Sequence, residues 1–378
     1  MRIAPLSIKI NAIQFQPEGL YSFSLWCPVL FGYVIKFSFL TVFFILIKIL
    51  SMKIRFFQLA KWLMPKIPLA VSYRVAELVG DLIWLFVRQV RQNFEHNQRR
   101  ALGPDATPYE IRQSSRHALR HLVKLYVDEF RIPALSKEEI RQSIIIHGLQ
   151  HLEEAYAQGQ GVILVSAHYG AIQMVGQMLT VLGYPAMVAV EHVQPEALFE
   201  FMCEMRACHG LRLISIDKPL IGLIRTLRKD QGVVALVIDR DISQTGIRMS
   251  FLGQETTVPR GPAQLAIRTG APIIVAYCRR LPNHGYEAFI ERPFYVTTSH
   301  PSEVEKAINE GTAQLMARLE RFIREQPSQW VMSVPLWKDE REEVGRRRQT
   351  TGLKPTSKRI KGIRPKRTKP YDSQQARG

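Results

Sequence analysis

The chain has 378 residues, 46% apolar and 22% charged, enough for one large domain with appendages. Four cysteines (Cys27, Cys203, Cys208, Cys278) are too few and too scattered for a disulfide framework, and no second Cys/His cluster joins Cys203, Cys208 and His209 to complete a zinc set. The net charge of +18 is uneven: twelve Lys/Arg against one Asp between Arg346 and Gly378 put +11 in the tail.

Pro28 to Leu50 is a run of Val, Leu, Ile, Phe and Tyr broken by Lys36 and Lys48, with the ~20-residue length of a bilayer span. Lys48, Lys53 and Arg55 flank its far end, which would keep the following chain on the cytoplasmic side. Met52 is a second candidate start, so residues 1–51 read either as a transmembrane segment or as an upstream extension. Residues 53–94 have bulky apolar positions (Phe56, Phe57, Leu63, Trp84, Phe86) among Lys and Arg at helical spacing. That pattern fits an interfacial membrane helix, and equally a helix that packs on a core.

Periodicity predicts a helix over 107–132, a short helix-to-strand transition over 137–145 and a helix over 150–158. Strands and helices then alternate: strand 162–166, helix 171–182, strand 186–190, helix 195–208, strand 211–216, helix 220–230, strand 233–238. A loop and hairpin at 242–258, helix 261–269, strands 272–280 and 286–292 and helix 302–325 follow. The alternation predicts an α/β fold with a largely parallel central sheet flanked by helices, preceded by N-terminal membrane-associated helices. The domain is expected over 52–340, with residues 341–378 a disordered basic tail. Tyr371 is the tail's one aromatic, which disfavours base stacking. Attraction to an anionic membrane or a purely solubilising role is expected, and no nucleic-acid partner.

His168 stands at the mouth of the apolar run Gly161-Val-Ile-Leu-Val165, with Gly170 two residues on. An imidazole can take and give a proton near neutrality, and ligands bind at strand C-termini in open α/β sheets. The second apolar run, Val233 to Ile238, ends in Asp239-Arg240-Asp241 and could bring a carboxylate to the same end of the sheet.

The stretches His147-Gly-Leu-Gln-His-Leu-Glu-Glu-Ala, Gly161 to Gly170, Asp239 to Gly253, Val258 to Pro272 and Gln326-Pro-Ser-Gln-Trp330 resemble the bacterial lipid A biosynthesis acyltransferase family, over roughly 53–340. Val188-Ala-Val-Glu191, Gln194 to Glu200 and Arg206 before Gly210 are most similar to the phosphatidylinositol mannoside acyltransferase branch. The resemblance implies a glycerolipid acyltransferase-like fold at the cytoplasmic face of the inner membrane. It implies transfer of a fatty acyl chain from acyl-CoA or acyl carrier protein, as co-substrate, to a hydroxyl of a membrane glycolipid, with no cofactor and no metal. His168 would be the general base, and Glu191 and Arg206 would line the donor or acceptor pocket.

The family pattern of His, four residues, then a carboxylate is broken here: the last position is Gln173, and the usual Asn-Trp is Ala171-Ile172. An amide can orient an imidazole but cannot stabilise an imidazolium as a carboxylate does. Either Asp239 or Asp241 supplies the missing charge, or the chain is an inactive homologue that only binds lipid. The backbone amides of Gly170 and Ala171 are expected to meet the charge that builds on the acyl carbonyl, and Gly170 to allow close approach. Arg260, at the start of helix 261–269, is expected to hold a phosphate. Trp330 and Trp337 read as interface aromatics or as core.

Overall fold

The computed structural model describes residues 55–217 and 221–337. The apolar run at 28–50 and the tail at 341–378 lie outside the described residues. Among the described residues, no helix is long and apolar enough to cross a membrane.

Four helices come first: α1 (55–63), α2 (Leu69–Phe86), α3 (Arg88–Leu102) and α4 (Pro108–Arg131). The start of α4 is fixed by its sequence. Thr107 and Glu110 form a reciprocal capping box, and Pro108 occupies the first turn, where its missing N–H costs nothing. α2 lays Ser72, Tyr73, Ala76 and Gly80 inward. At Gly80 a Cβ would lie 3.1 Å from the Cα of Arg120, so the α2–α4 contact needs a residue that small. The opposite face of α2 leaves Val71, Val75, Leu78, Leu82, Leu85 and Phe86 exposed. One face of α2 thus packs on the protein, and the other is left uncovered among the described residues.

The rest is a seven-stranded sheet in the order β1-β9-β8-β2-β5-β3-β4, from β1 (Ile144–His147), β2 (Val162–Ser166), β3 (Ala186–Val190), β4 (Arg212–Ser215), β5 (Val233–Val237), β8 (Ile273–Arg280) and β9 (Tyr286–Ile290). Each neighbouring pair is parallel except the antiparallel β8–β9. β6 (Ile247–Phe251) and β7 (Gln254–Val258) form the separate hairpin. The helices α5 (Lys137–Ser143), α6 (Leu149–Ala157), α7 (Ile172–Val181), α8 (Glu196–Arg206), α9 (Ile221–Arg228), α10 (Gly261–Thr269) and α11 (Val304–Glu325) complete the chain.

β2 shows why the sheet is sandwiched. All five of its residues are buried. Ile163 and Val165 join a cluster with Leu265 of α10 and Leu315 and Phe322 of α11, whereas Val162 and Leu164 join Leu152 of α6 and Leu179 of α7. A strand apolar on both faces needs a helical layer on each side. Each such side chain contributes about 1.5–3 kcal/mol by leaving water.

Candidate active site at the carboxyl ends of β2, β5 and β3

Register brings the two decisive residues together. β2 and β5 are parallel neighbours with Ser166 opposite Val237, and the Ile238 amide donates to Ser166 O at 3.0 Å. Two residues farther along each chain stand His168 and Asp239. The Nδ1–H of His168 donates to Asp239 Oδ1 at 2.8 Å, and the His168 amide donates to Oδ2 at 3.0 Å. The indole Nε1–H of Trp330 also donates to Oδ2, at 2.8 Å. The Asp239 side chain is wholly buried, while that of His168 is 43% exposed. Among the described residues, no protein group bonds His168 Nε2.

The charges follow from this arrangement. Burial disfavours the imidazolium, but the charge and hydrogen bond of Asp239 outweigh it and raise the His168 pKa. Burial likewise works against the Asp239 carboxylate, and the imidazole, the indole N–H and the His168 amide together hold its pKa below the usual value. Oδ1 is the oxygen that faces Nδ1. The neutral tautomer protonated at Nδ1 therefore keeps its Nε2 lone pair free on the open side.

The other expected residues divide. Glu191, one residue past β3, makes a two-pronged ion pair with Arg240 at 3.1 Å in each arm, and both influence the titration of His168. They belong to the same crest of strand ends. Asp241 does not reach His168. Its Oδ1 accepts from Ser243 Oγ at 2.9 Å and its Oδ2 from the Gly246 amide at 2.9 Å, so it caps the turn leading to β6. Gln173 makes no bond to the imidazole, and its Oε1 is buried without a protein partner. Arg206 lies at the end of α8 and binds the buried Glu129 of α4 at 2.6 Å, a tie between helices. Arg260 is paired with Glu305 of α11, itself 70% exposed.

Gly170 has a different function from the one expected. Its amide donates to Gln329 O at 2.8 Å, and the Ala171 amide donates to Cys278 O at 3.1 Å. Neither N–H is available to a carbonyl oxyanion. Gly170 adopts φ +56°, and a Cβ there would sit 1.9 Å from Cys278 O. The glycine is required because β8 runs against the turn, not because a ligand does.

The roles of three residues of this region escape a reading of the sequence. One is Trp330. The others are Arg280 and Asp128, which form a buried ion pair beneath the same turn; Arg280 Nη1 also donates to Gly170 O at 2.9 Å. The signals in the sequence are an arginine ending an apolar strand and the Gln-Trp of the Gln326–Trp330 stretch.

Compared with known proteins, residues 42–339 match the bacterial lipid A biosynthesis acyltransferase family. The phosphatidylinositol mannoside acyltransferase of Mycobacterium tuberculosis (strain ATCC 25618 / H37Rv) is 26% identical over 253 residues, 65% of this chain and 77% of that protein. The protein of the same name from Mycolicibacterium smegmatis (strain ATCC 700084 / mc(2)155) is 25% identical over 254 residues, covering 65% and 79%.

Proposed function

Since the chain belongs to the bacterial lipid A biosynthesis acyltransferase family and is an acyl-transferring enzyme, we propose that it moves a fatty acyl chain from acyl-CoA or acyl carrier protein onto a hydroxyl of a membrane glycolipid such as a phosphatidylinositol mannoside. The observation that carries this reading is the 2.8 Å bond from His168 Nδ1 to the sealed carboxylate of Asp239 beside an open Nε2. A sugar hydroxyl titrates far above neutrality and needs a base as it attacks. Nε2 takes the hydroxyl proton while the oxygen adds to the thioester carbonyl carbon. The tetrahedral species then expels the thiolate by C–S cleavage, and Nε2 returns the proton to sulfur. Asp239 stabilises the imidazolium between these steps.

The developing oxyanion needs a donor other than Gly170 and Ala171. We assign it to Arg240, whose guanidinium spends one N–H of each terminal nitrogen on Glu191 and keeps three. Asp239 supplies the charge that Gln173 lacks, which supports an active enzyme over a lipid-binding relic.

The outer face of α2 supports docking on an anionic bilayer surface. Phe86 is 75% and Leu78 64% exposed, and Arg74 and Arg88 are exposed beside them. The acidic residues of α2 are already neutralised from α4, Glu77 by Lys124 and Asp81 by Arg116 and Arg120. The free face is thus apolar and basic, which suits a headgroup–acyl boundary.

Labelled palmitoyl-CoA and phosphatidylinositol mannoside, incubated with the full chain on vesicles, test the chemistry. Label should enter the glycolipid with the wild type and not with His168→Ala; equal transfer by both removes His168 from the reaction. Sedimentation with phosphatidylglycerol vesicles should fall by roughly tenfold for Leu78→Glu/Leu82→Glu. Unchanged sedimentation would mean that another occupant, such as the N-terminal 54 residues, covers this face.

A further inference from the structure

The segment from Gln326 to Met332 runs across the turn that carries His168 and touches both partners of the dyad. The Val331 amide donates to His168 O at 2.9 Å, Gln329 O accepts from the Gly170 amide, and Tyr169 and Trp330 form an isolated antiparallel bridge. From behind, α3 holds the segment: Gln98 Nε2 donates to Pro327 O at 2.9 Å and to Trp330 O at 3.2 Å, and Asn97 Nδ2 donates to Met332 O at 3.0 Å. The Gln329 side chain exchanges two hydrogen bonds with the Arg280 backbone. The strap is thus held from both sides, and Trp330 is wholly buried.

A buried indole must place its N–H on an acceptor, and packing alone would be satisfied by any carbonyl. Trp337 does just that, donating to Gln254 O at 3.2 Å. Trp330 donates instead to the carboxylate that faces the imidazole. We propose that Trp330 is a positioning residue for acyl transfer: its indole N–H fixes the rotation of the Asp239 carboxylate and so commits Oδ1 to Nδ1 of His168. Oδ2 receives the indole and the His168 amide together, so turning the carboxylate plane away from Nδ1 breaks both bonds. The proton therefore stays on Nδ1 and the lone pair on Nε2. Trp330 touches no substrate and acts only through Asp239. This inference rests on His168 being the base.

The test compares Trp330→Phe with Trp337→Phe in the vesicle assay, with kcat, KM and Tm measured for each. Trp330→Phe should lower kcat by roughly tenfold or more, with KM for donor and acceptor within about twofold. Trp337→Phe should stay within about twofold in kcat. In an Asp239→Asn background, Trp330→Phe should cost nothing further, because the group it positions is gone. Where Phe leaves a destabilising void, benzothienylalanine at position 330 replaces the N–H with sulfur at almost the same volume and should give the same kcat loss. An unchanged kcat in both 330 variants overturns the proposal. So does an equal loss in the Asp239→Asn background, or a loss that tracks Tm alike for Trp330 and Trp337. Full activity in His168→Ala overturns the reading beneath it instead, and is distinguished by that variant alone.

Discussion

Two carboxylates are sealed on either side of one turn, and they serve opposite ends. Asp239 accepts from the His168 amide, from His168 Nδ1 and from Trp330. Asp128 accepts from Tyr73, from Tyr286 at 2.9 Å and from Arg280, whose Nε lies at 3.0 Å. Both are almost inaccessible to solvent, so both need every bond they have. They differ in the partner. The Arg280 side chain is 3% exposed and its guanidinium is pushed above its ordinary value, by the charge of Asp128 against the cost of burial. The phenol of Tyr73 is likewise held well above its usual value by burial and by Asp128. Arg280 therefore keeps its charge, and the Tyr73 and Tyr286 phenols stay neutral, at a working pH. His168 is open on one side, and Asp239 raises its pKa above the ordinary imidazole value. The two clusters meet at the turn, where Arg280 grips Gly170 O two residues past His168. Burial on all sides makes a charged cluster a clamp, and burial with one open nitrogen suits the proton carrier proposed for His168.

Breaking each cluster should therefore give a different failure. The largest effect expected is in His168→Ala, with acyl transfer falling by about 10²- to 10⁴-fold while Tm stays near wild type, as read by turnover and thermal melting on the same sample. Asp239→Asn should lower kcat by about 10²- to 10³-fold. It should also lower Tm in a pH-dependent way. The Asp239 pKa is held down, so its contribution is present above the unfolded carboxylate value near ~3.9; the His168 pKa is raised, so its contribution is complete below the unfolded imidazole value near ~6.5. The Tm gap between wild type and Asp239→Asn should be widest between those two values and shrink as pH rises through the native His168 pKa. A gap that is flat with pH would mean the pair is not ionised.

Arg280→Met should do the reverse of His168→Ala. Leaving Asp128 buried without its cation should cost about 3–5 kcal/mol, which is on the order of 10 °C in Tm, with the kcat of the protein that remains folded falling much less. A kcat loss as deep as that of His168→Ala at intact Tm would erase the distinction between clamp and carrier. The smallest effect is expected from Gln173→Glu: kcat within about threefold of wild type, because Asp239 already supplies the charge. A large gain in activity would favour the lipid-binding reading of the natural chain.

The strands and helices were legible because each apolar run is bounded by turn residues, and 186–190 and 261–269 match the observed elements to the residue. His168 and the Asp239–Asp241 pair were legible as chemistry at strand ends. Which aspartate meets the imidazole was not, because that depends on the β2–β5 register, and a register is a property of two strands packed together. The amides of Gly170 and Ala171 read as free because their acceptors, Gln329 and Cys278, come from more than a hundred residues away. Arg280 and Asp128 are 152 residues apart, and no local pattern marks them as partners. Trp330 and Trp337 read as interface aromatics or as core and both are core; the direction of the indole N–H sets Trp330 apart.

A buried carboxylate should raise the basicity of the His168 imidazole, which is open at Nε2. The pH dependence of kcat/KM, measured side by side in wild type and Asp239→Asn, tests it most directly. The base must be unprotonated to act, so activity rises with pH through the His168 pKa, and losing the carboxylate lowers that pKa. Wild type should show an acid limb above the ordinary imidazole value, and that limb should move to lower pH in Asp239→Asn. A limb at the same pH in both would contradict it.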